Sequence, residues 1–328
     1  MVFGYVFLLL YLGIFIFIIA SIFSGNKKKV KINEEISTKY KDLAYELIKN
    51  NKKLDEQRKK HNFLTIIKGL LLLSLFATFI YLRLLGFLAV YIIIAVAILL
   101  VVLILKGEKD NDIFDEIIPN IIKKYFKDFS YDHKNGIASN IYREAAFEGY
   151  DRYHSDDLIT GKVCGYDFAL SEVHTERRHT DKDGHTTYTT IFHGAFSKVM
   201  LTKDLDCFIS IANNRIKLFD RDRYITIDNE EFEKIYDVFT DDKIKAMRLL
   251  TPDVTSKMID LYNETGIYCE VKIYGQLLYI RLYTGALFNF TFSNPEKEAL
   301  MVGKSLAVIE SVFRIMENFI KEIEAFDV

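Results

Sequence analysis

Two long apolar runs dominate the first third of the chain and predict membrane-spanning helices. The first run, residues 2–23, contains no charged side chain and is longer than the about 20 apolar residues that cross a bilayer core. Because a basic cluster follows this run instead of preceding it, we expect an uncleaved anchor over 1–25, with a cleaved signal peptide as the alternative. The second run, 63–106, is too long for one helix. It predicts a transmembrane helical hairpin with spans at 66–81 and 85–105.

Amphipathic patterns with helical spacing flank the second apolar run. Residues 26–62 predict a helix with apolar positions in heptads, interrupted by the polar Asn50. Two interpretations remain open for this helix: a self-associating coiled coil, or an amphipathic helix that packs on the protein's own folded domain. A second apolar stripe, within 113–129, predicts another amphipathic helix, and Pro119 either kinks that helix or marks its start.

From about residue 151 the apolar pattern changes to a period of two, which is typical of half-buried β-strands. Turn sequences separate these strands, among them Cys164-Gly165, the DKDG stretch at 181–184, and Gly275-Gln276. We therefore predict that residues 107–328 form an α+β domain around a mainly antiparallel β-sheet.

Two helices of this domain are marked by capping sequences. Thr251 followed by Pro252 predicts the start of an internal helix, and Gly266 predicts its end. Asn294 followed by Pro295 predicts a long C-terminal helix that runs almost to the end of the chain.

Charge is distributed unevenly, although the formal net charge is only −2. Residues 26–62 carry twelve Lys and Arg against six Asp and Glu, whereas residues 107–328 are acidic. Short loops rich in Lys and Arg remain in the cytoplasm, so we expect a multi-pass protein of the cytoplasmic (inner) membrane whose C-terminal domain is cytosolic. The acidic domain argues against nucleic acid as a partner, and three widely spaced cysteines fit a reducing compartment.

Histidines are the most conspicuous candidates for chemistry. Four of the seven histidines fall within residues 174–193, on both sides of the turn predicted at 181–184. Closing a hairpin at this turn fixes which residues of the two strands face each other. The predicted pairs are Thr180 with His185, Glu172 with His193, and His174 with Ile191.

Strand geometry allows only some of these histidines to meet. Side chains alternate along a strand, so His179 points to the other face, and His185 lies near the tip of the hairpin. His174, His193 and Glu172 are the three side chains that can converge. Two imidazoles and one carboxylate are a ligand set for a divalent transition metal, so these three are weak metal-ligand candidates. The alternative is a structural hairpin that is rich in Thr and His.

The remaining polar residues do not form a recognisable catalytic set. Asp156 and Asp157 are adjacent in a predicted strand, where neighbouring side chains point to opposite faces and make a poor acid–base pair. Cys164 precedes a glycine at a turn, but no histidine is placed beside it by the sequence. The chain also lacks phosphate-binding glycine motifs. We therefore expect no catalytic residues and no cofactor.

Five stretches, in order along residues 54–292, resemble a bacterial membrane-protein family that is known only as a domain of unknown function and is sometimes mislabelled galanin. The stretches are LDEQRKKH, DDLITGKVCGYDFALSEVHTE, IFHGAF, VFTDDKIKAMRLLTP and GQLLYIRLY. The resemblance implies a membrane-anchored protein with a cytosolic α+β domain, and it supplies no catalytic residues. Family members are encoded near LemA-type membrane proteins, which implies such a protein as a partner.

These observations favour a non-enzymatic, membrane-anchored interaction or sensory module that faces the cytosol and contacts the lipid bilayer. A membrane-tethered enzyme or metal-binding protein that uses His174, His193 and Glu172 is the first alternative. A structural membrane oligomer that self-associates through residues 30–62 is the second.

Overall fold

The computed structural model describes residues 34–84, 116–126, 128–213, 222–288, 290 and 292–326. The predicted anchor over 1–25 and the second predicted membrane span, 85–105, lie outside these residues. The described helices are α1 (Glu34–Asn50), α2 (Lys52–Leu84), α3 (Ile118–Tyr125), α4 (Ser139–Glu144), α5 (Glu230–Glu233), α6 (Lys243–Leu249), α7 (Pro252–Thr265) and α8 (Pro295–Ala325). The described strands are β1 (Ser130–Asp132), β2 (Arg152–Val163), β3 (Tyr166–Thr180), β4 (Thr186–Met200), β5 (Phe208–Asn213), β6 (Tyr224–Ile225), β7 (Tyr236–Thr240), β8 (Cys269–Tyr274) and β9 (Leu277–Leu282).

The nine described strands form one antiparallel sheet in the order β1-β2-β3-β4-β9-β8-β5-β7-β6. The predicted antiparallel sheet and the predicted C-terminal helix are therefore confirmed. The capping sequences work as expected, because the side chains of Thr251 and Asn294 accept hydrogen bonds from the first turns of α7 and α8. Gly266 ends α7 in the left-handed conformation, with φ of 68°.

Helix α8 packs on one face of the sheet, and α1 packs against α8. The ring of Phe313 on α8 meets Phe168 of β3 at 4.9 Å between centroids. Tyr40, Ala44 and Ile48 of α1 are fully buried, and α1 lies along α8. These burials repeat every four residues, so the apolar stripe of α1 is covered by the protein's own C-terminal helix.

The helix predicted over 26–62 is interrupted at Asn51. The Asn51 side chain accepts a hydrogen bond from the backbone N–H of Leu54 at 3.0 Å, which caps the start of α2. A single continuous heptad helix is therefore wrong for this segment. Pro119 lies in the first turn of α3, where a proline is tolerated because its missing N–H has no partner within the helix.

Helix α2 joins the end of the basic segment to the first predicted membrane span, 66–81, without a break. Among the residues that the structure describes, no helix is long and apolar enough to cross a membrane. The predicted membrane hairpin therefore has no support from the described part of the chain.

The β3–β4 hairpin closes one residue later than predicted. The Asp181 N–H donates to the carbonyl of His185 at 3.0 Å, and Gly184 takes a positive φ of 84° to complete the loop. Thr180 consequently pairs with Thr186 and not with His185. The predicted register is wrong at the tip because the turn contains three residues between Asp181 and His185.

A β-bulge on the same hairpin shifts the register by one more residue. Ile191 is the extra residue of β4, so His174 pairs with His193, and Glu172 pairs with Ala195. The predicted pairs of Glu172 with His193 and of His174 with Ile191 are therefore wrong. The turn and the bulge each shift the pairing by one residue. Because side chains alternate between faces with a period of two, a total shift of two residues leaves the side chains beyond the bulge on the predicted face.

Candidate functional site

Polar side chains form two rows on the face of the sheet that also packs against α8, one row across β2, β3 and β4 and the other across β2 and β3. The first row consists of His154, His174 and His193, which are directly paired on neighbouring strands. The second row begins with Asp156 of β2 paired with Glu172 of β3. Paired residues place their side chains on the same face, so the imidazoles and carboxylates lie side by side.

A second β-bulge, in β2, brings Asp157 into the same cluster. The register shifts between Asp156 and Ile159, and Asp157 takes a positive φ of 54°. One carboxylate oxygen from each of Asp156, Asp157 and Glu172 lies within 4.8 Å of the others. The expectation that the two adjacent aspartates point to opposite faces is therefore wrong, because strict alternation of side chains fails at a bulge.

Asp157 is the buried centre of this carboxylate cluster. Its Oδ1 accepts a hydrogen bond from the Tyr131 hydroxyl and lies 2.9 Å from Nδ1 of His133. Burial, reinforced by the neighbouring carboxylates of Asp156 and Glu172, raises the pKa of Asp157 to about 6, against the effect of the two hydrogen bonds. Burial next to the Asp157 carboxylate also raises the pKa of Tyr131.

Glu172 is held from two sides. Its Oε1 lies 2.7 Å from Nε2 of His193, and its Oε2 accepts a hydrogen bond from the backbone N–H of Leu287. The segment that carries Leu287 crosses close to β4 at Gly194. A Cβ on Gly194 would stand 1.9 Å from the carbonyl oxygen of Leu282, so only glycine permits this approach.

His174 lies at the edge of the site. Its ring stacks on His193 with 4.6 Å between centroids, and its Nε2 lies 3.0 Å from the Thr190 hydroxyl. Burial, together with the charge of His193, lowers the pKa of His174. His179 and His185 are exposed towards the tip of the hairpin, outside the cluster.

Asp156 contains the one poorly satisfied atom of the cluster. Its Oδ2 lies 3.3 Å from Nε2 of the exposed His154. Its Oδ1 is fully buried and has no hydrogen-bond donor among the described residues. Burial, followed by the charge of Glu172, raises the pKa of Asp156. A buried oxygen of this kind is costly unless another group or an ion satisfies it.

The structure thus brings together the three predicted candidates His174, His193 and Glu172, and it adds residues that the sequence did not suggest. The added residues are Tyr131, His133, His154, Asp156 and Asp157. The adjacent aspartates were visible in the sequence, but the bulge that makes them converge was not. Three carboxylates flanked by imidazoles are suited to holding a cation.

Comparisons with known proteins give a family match over part of the chain and no activity. Residues 190–326 match a family model described as Protein of unknown function (DUF3137). No curated protein matches the chain. The crystal structure of the mycobacterial trehalose monomycolate transport factor A, TtfA, is similar at 9% identity and a TM-score of 0.30, with 59% of this chain and 94% of that chain covered. A TM-score this low supports no conclusion about a shared fold or function. The three carboxylates of the site precede the matched residues. The match therefore relates only residues 190–326 to a family of unknown function.

Proposed function

We propose that the protein is a non-enzymatic, membrane-anchored interaction or sensory module whose folded domain faces the cytosol. The observation that carries this proposal is the apolar surface of α2. Five large side chains on this helix are between 45% and 64% exposed although they are hydrophobic. They are Phe63, Ile66, Leu70, Leu73 and Ile80.

The spacing of these side chains supports a single contact surface. They recur at intervals of three, four or seven residues, so they follow one stripe along the helix. An exposed apolar stripe of this length is typical of a surface that contacts another protein or a membrane. We name residues 63–80 of this stripe the apolar half of α2.

Basic residues at the start of the stripe favour lipid as its occupant. Lys59 and Lys60 lie about one helical turn before Phe63, and Lys52 and Lys53 lie about two turns before Lys59 and Lys60. Cationic side chains at the cytosolic end of an apolar helix interact favourably with anionic lipid headgroups. In the sequence, residues 85–105 are also apolar, so the apolar character of residues 63–80 continues beyond α2.

The first half of α2 packs against the folded domain. A membrane contact made by the second half of α2 would therefore hold the folded domain close to the membrane. Leu54 is buried, and the guanidinium of Arg58 makes two hydrogen bonds to Glu298 of α8 at 2.8 and 3.0 Å. A module attached in this way holds its carboxylate and imidazole site near the bilayer. A LemA-type membrane protein, which the sequence resemblance implies, is the partner that we propose for it.

A depth measurement tests this proposal. Spin labels are introduced at Leu70→Cys and, as a matched control, at Ile244→Cys, in a full-length protein that carries Cys164→Ser and is reconstituted into lipid vesicles. Ile244 is 69% exposed on α6, so the control label reports an exposed apolar position away from α2. We expect the label at position 70 to be accessible to oxygen and shielded from a water-soluble relaxation agent, and the control to show the reverse. Equal access of the water-soluble agent to both labels would contradict the proposal.

A further inference from the structure

We propose that Asp156, Asp157 and Glu172 bind one divalent transition-metal ion on the face of the sheet between β2 and β3. This inference goes beyond membrane attachment and does not depend on it. It also differs from the ligand set that the sequence suggested, because the two aspartates replace the two histidines as ligands.

The first support is the convergence of the three carboxylates. Their ligand oxygens lie within 4.8 Å of one another, although they come from two strands and one of them, from Asp157, lies in a bulge. Like charges at this separation repel each other strongly where water is largely excluded, and a divalent cation removes that repulsion. Asp157 is 3% exposed, so water screens it poorly.

The second support is independent of the first and concerns hydrogen bonding. The Oδ1 atom of Asp156 is buried without a donor among the described residues, while Glu172 and Asp157 have donors on at least one oxygen. Buried polar atoms are nearly always satisfied in native proteins. A metal ion bound to Asp156 would supply the missing interaction.

The imidazoles orient the carboxylates, and the carboxylate ligands indicate which class of metal fits. His133 and His193 lie within hydrogen-bonding distance of Asp157 and Glu172, at 2.9 and 2.7 Å. Hydrogen bonds from neighbouring groups orient ligating carboxylates, and among the divalent transition metals manganese suits a ligand set made of carboxylates. We therefore assign His133 and His193 as positioning residues and the carboxylates as ligands.

Metal titration of the purified full-length protein tests the assignment. The protein, without a polyhistidine tag and stripped with a chelator, is titrated with Mn²⁺ and separately with Zn²⁺, and bound metal is counted by mass spectrometry. We expect one ion per chain for at least one of the two metals and a rise in the melting temperature on its addition. We expect Asp156→Asn and Glu172→Gln each to weaken that binding about tenfold or more.

Two matched controls separate this site from adventitious binding. Asp167→Asn removes an exposed carboxylate from the same strand as Glu172, and a His179→Ala/His185→Ala double variant removes the exposed histidines near the hairpin tip. Both controls should bind metal as the unaltered protein does. If the unaltered protein binds neither metal, or if Asp156→Asn and Glu172→Gln bind as tightly as it does, the assignment is wrong. Loss of metal binding in a variant that still sits in the membrane leaves the proposed anchoring intact.

Discussion

At the scale of single residues, Asp157 shows how one backbone conformation creates a site. Its positive φ, at a bulge, directs its carboxyl group into a buried space next to the carboxyl groups of Asp156 and Glu172. Aspartate tolerates this conformation better than most residues, because a short polar side chain is accepted in the left-handed region. Asparagine tolerates it equally well and carries no charge, which makes Asp157→Asn an informative substitution.

We expect Asp157→Asn to stabilise the metal-free protein at neutral pH. The folded state raises the pKa of Asp157 to about 6 from 3.8, so it binds the proton more tightly than the unfolded chain does. The stability of the unaltered protein should therefore fall as pH rises from about 4 to about 6, by up to about 3 kcal/mol. Asparagine removes this loss and keeps an oxygen that can accept from Tyr131.

Urea unfolding in chelator, followed by circular dichroism because the chain contains no tryptophan, measures this difference. The advantage of Asp157→Asn over the unaltered protein should be present at pH 7.5 and should disappear towards pH 4. Asp167→Asn, at an exposed position of β3, serves as the control and should show no such trend. If Asp157→Asn is less stable than the unaltered protein by the same amount at every pH, burial of the Asp157 charge does not lower the stability of the folded state.

At the scale of elements, a buried ion pair links α2 to α8. Arg58 and Glu298 are almost completely buried, and Glu298 also accepts a hydrogen bond from the backbone N–H of Ser293 at 2.8 Å. A buried pair of this kind contributes less to stability than its geometry suggests, but removal of one partner leaves an uncompensated charge. The pair therefore determines where α2 sits more than it determines how stable the domain is.

We expect Arg58→Ala to destabilise the folded domain by about 3–5 kcal/mol, because Glu298 would remain buried without its partner. A double variant, Arg58→Met with Glu298→Gln, should recover most of this loss, since it removes both charges and keeps an acceptor for Ser293. Lys59→Ala changes the neighbouring exposed side chain and should alter stability by less than about 0.5 kcal/mol. Thermal unfolding monitored by circular dichroism measures all three, and no recovery in the double variant would contradict this account.

The elements that the sequence predicted share a local cause. The starts of α7 and α8 and the end of α7 were predicted because caps act within one helical turn. The break at Asn51 and the register of the β3–β4 hairpin were not predicted, because each depends on a one-residue difference that periodicity does not resolve. The short helices α4, α5 and α6 were also missed, since they contain too few residues to show a helical period.

At the scale of the whole molecule, the orientation relative to the membrane remains a prediction from charge. The basic excess in residues 26–62 predicts that this segment and the C-terminal domain share the cytosolic side. A reporter that is active only in the cytosol, fused after Val328, should therefore be active, and a reporter that is active only in the periplasm should be silent. The opposite pattern would show that the folded domain faces outward. Fusion of the same reporters to an outward-facing membrane protein provides the control.

The sequence by itself determined the antiparallel sheet, the caps of the long helices and the parity that places His174, His193 and Glu172 on one face. These features depend on periodicity and on contacts within a few residues. Only the tertiary structure decided that Asp156 and Asp157 join Glu172, that His133 and Tyr131 reach them, and that α8 covers α1. A bulge breaks the alternation of side chains that sequence reasoning relies on, and contacts between distant segments follow from packing that no local pattern records. The candidate site therefore combines segments that are distant in the sequence and adjacent in the fold.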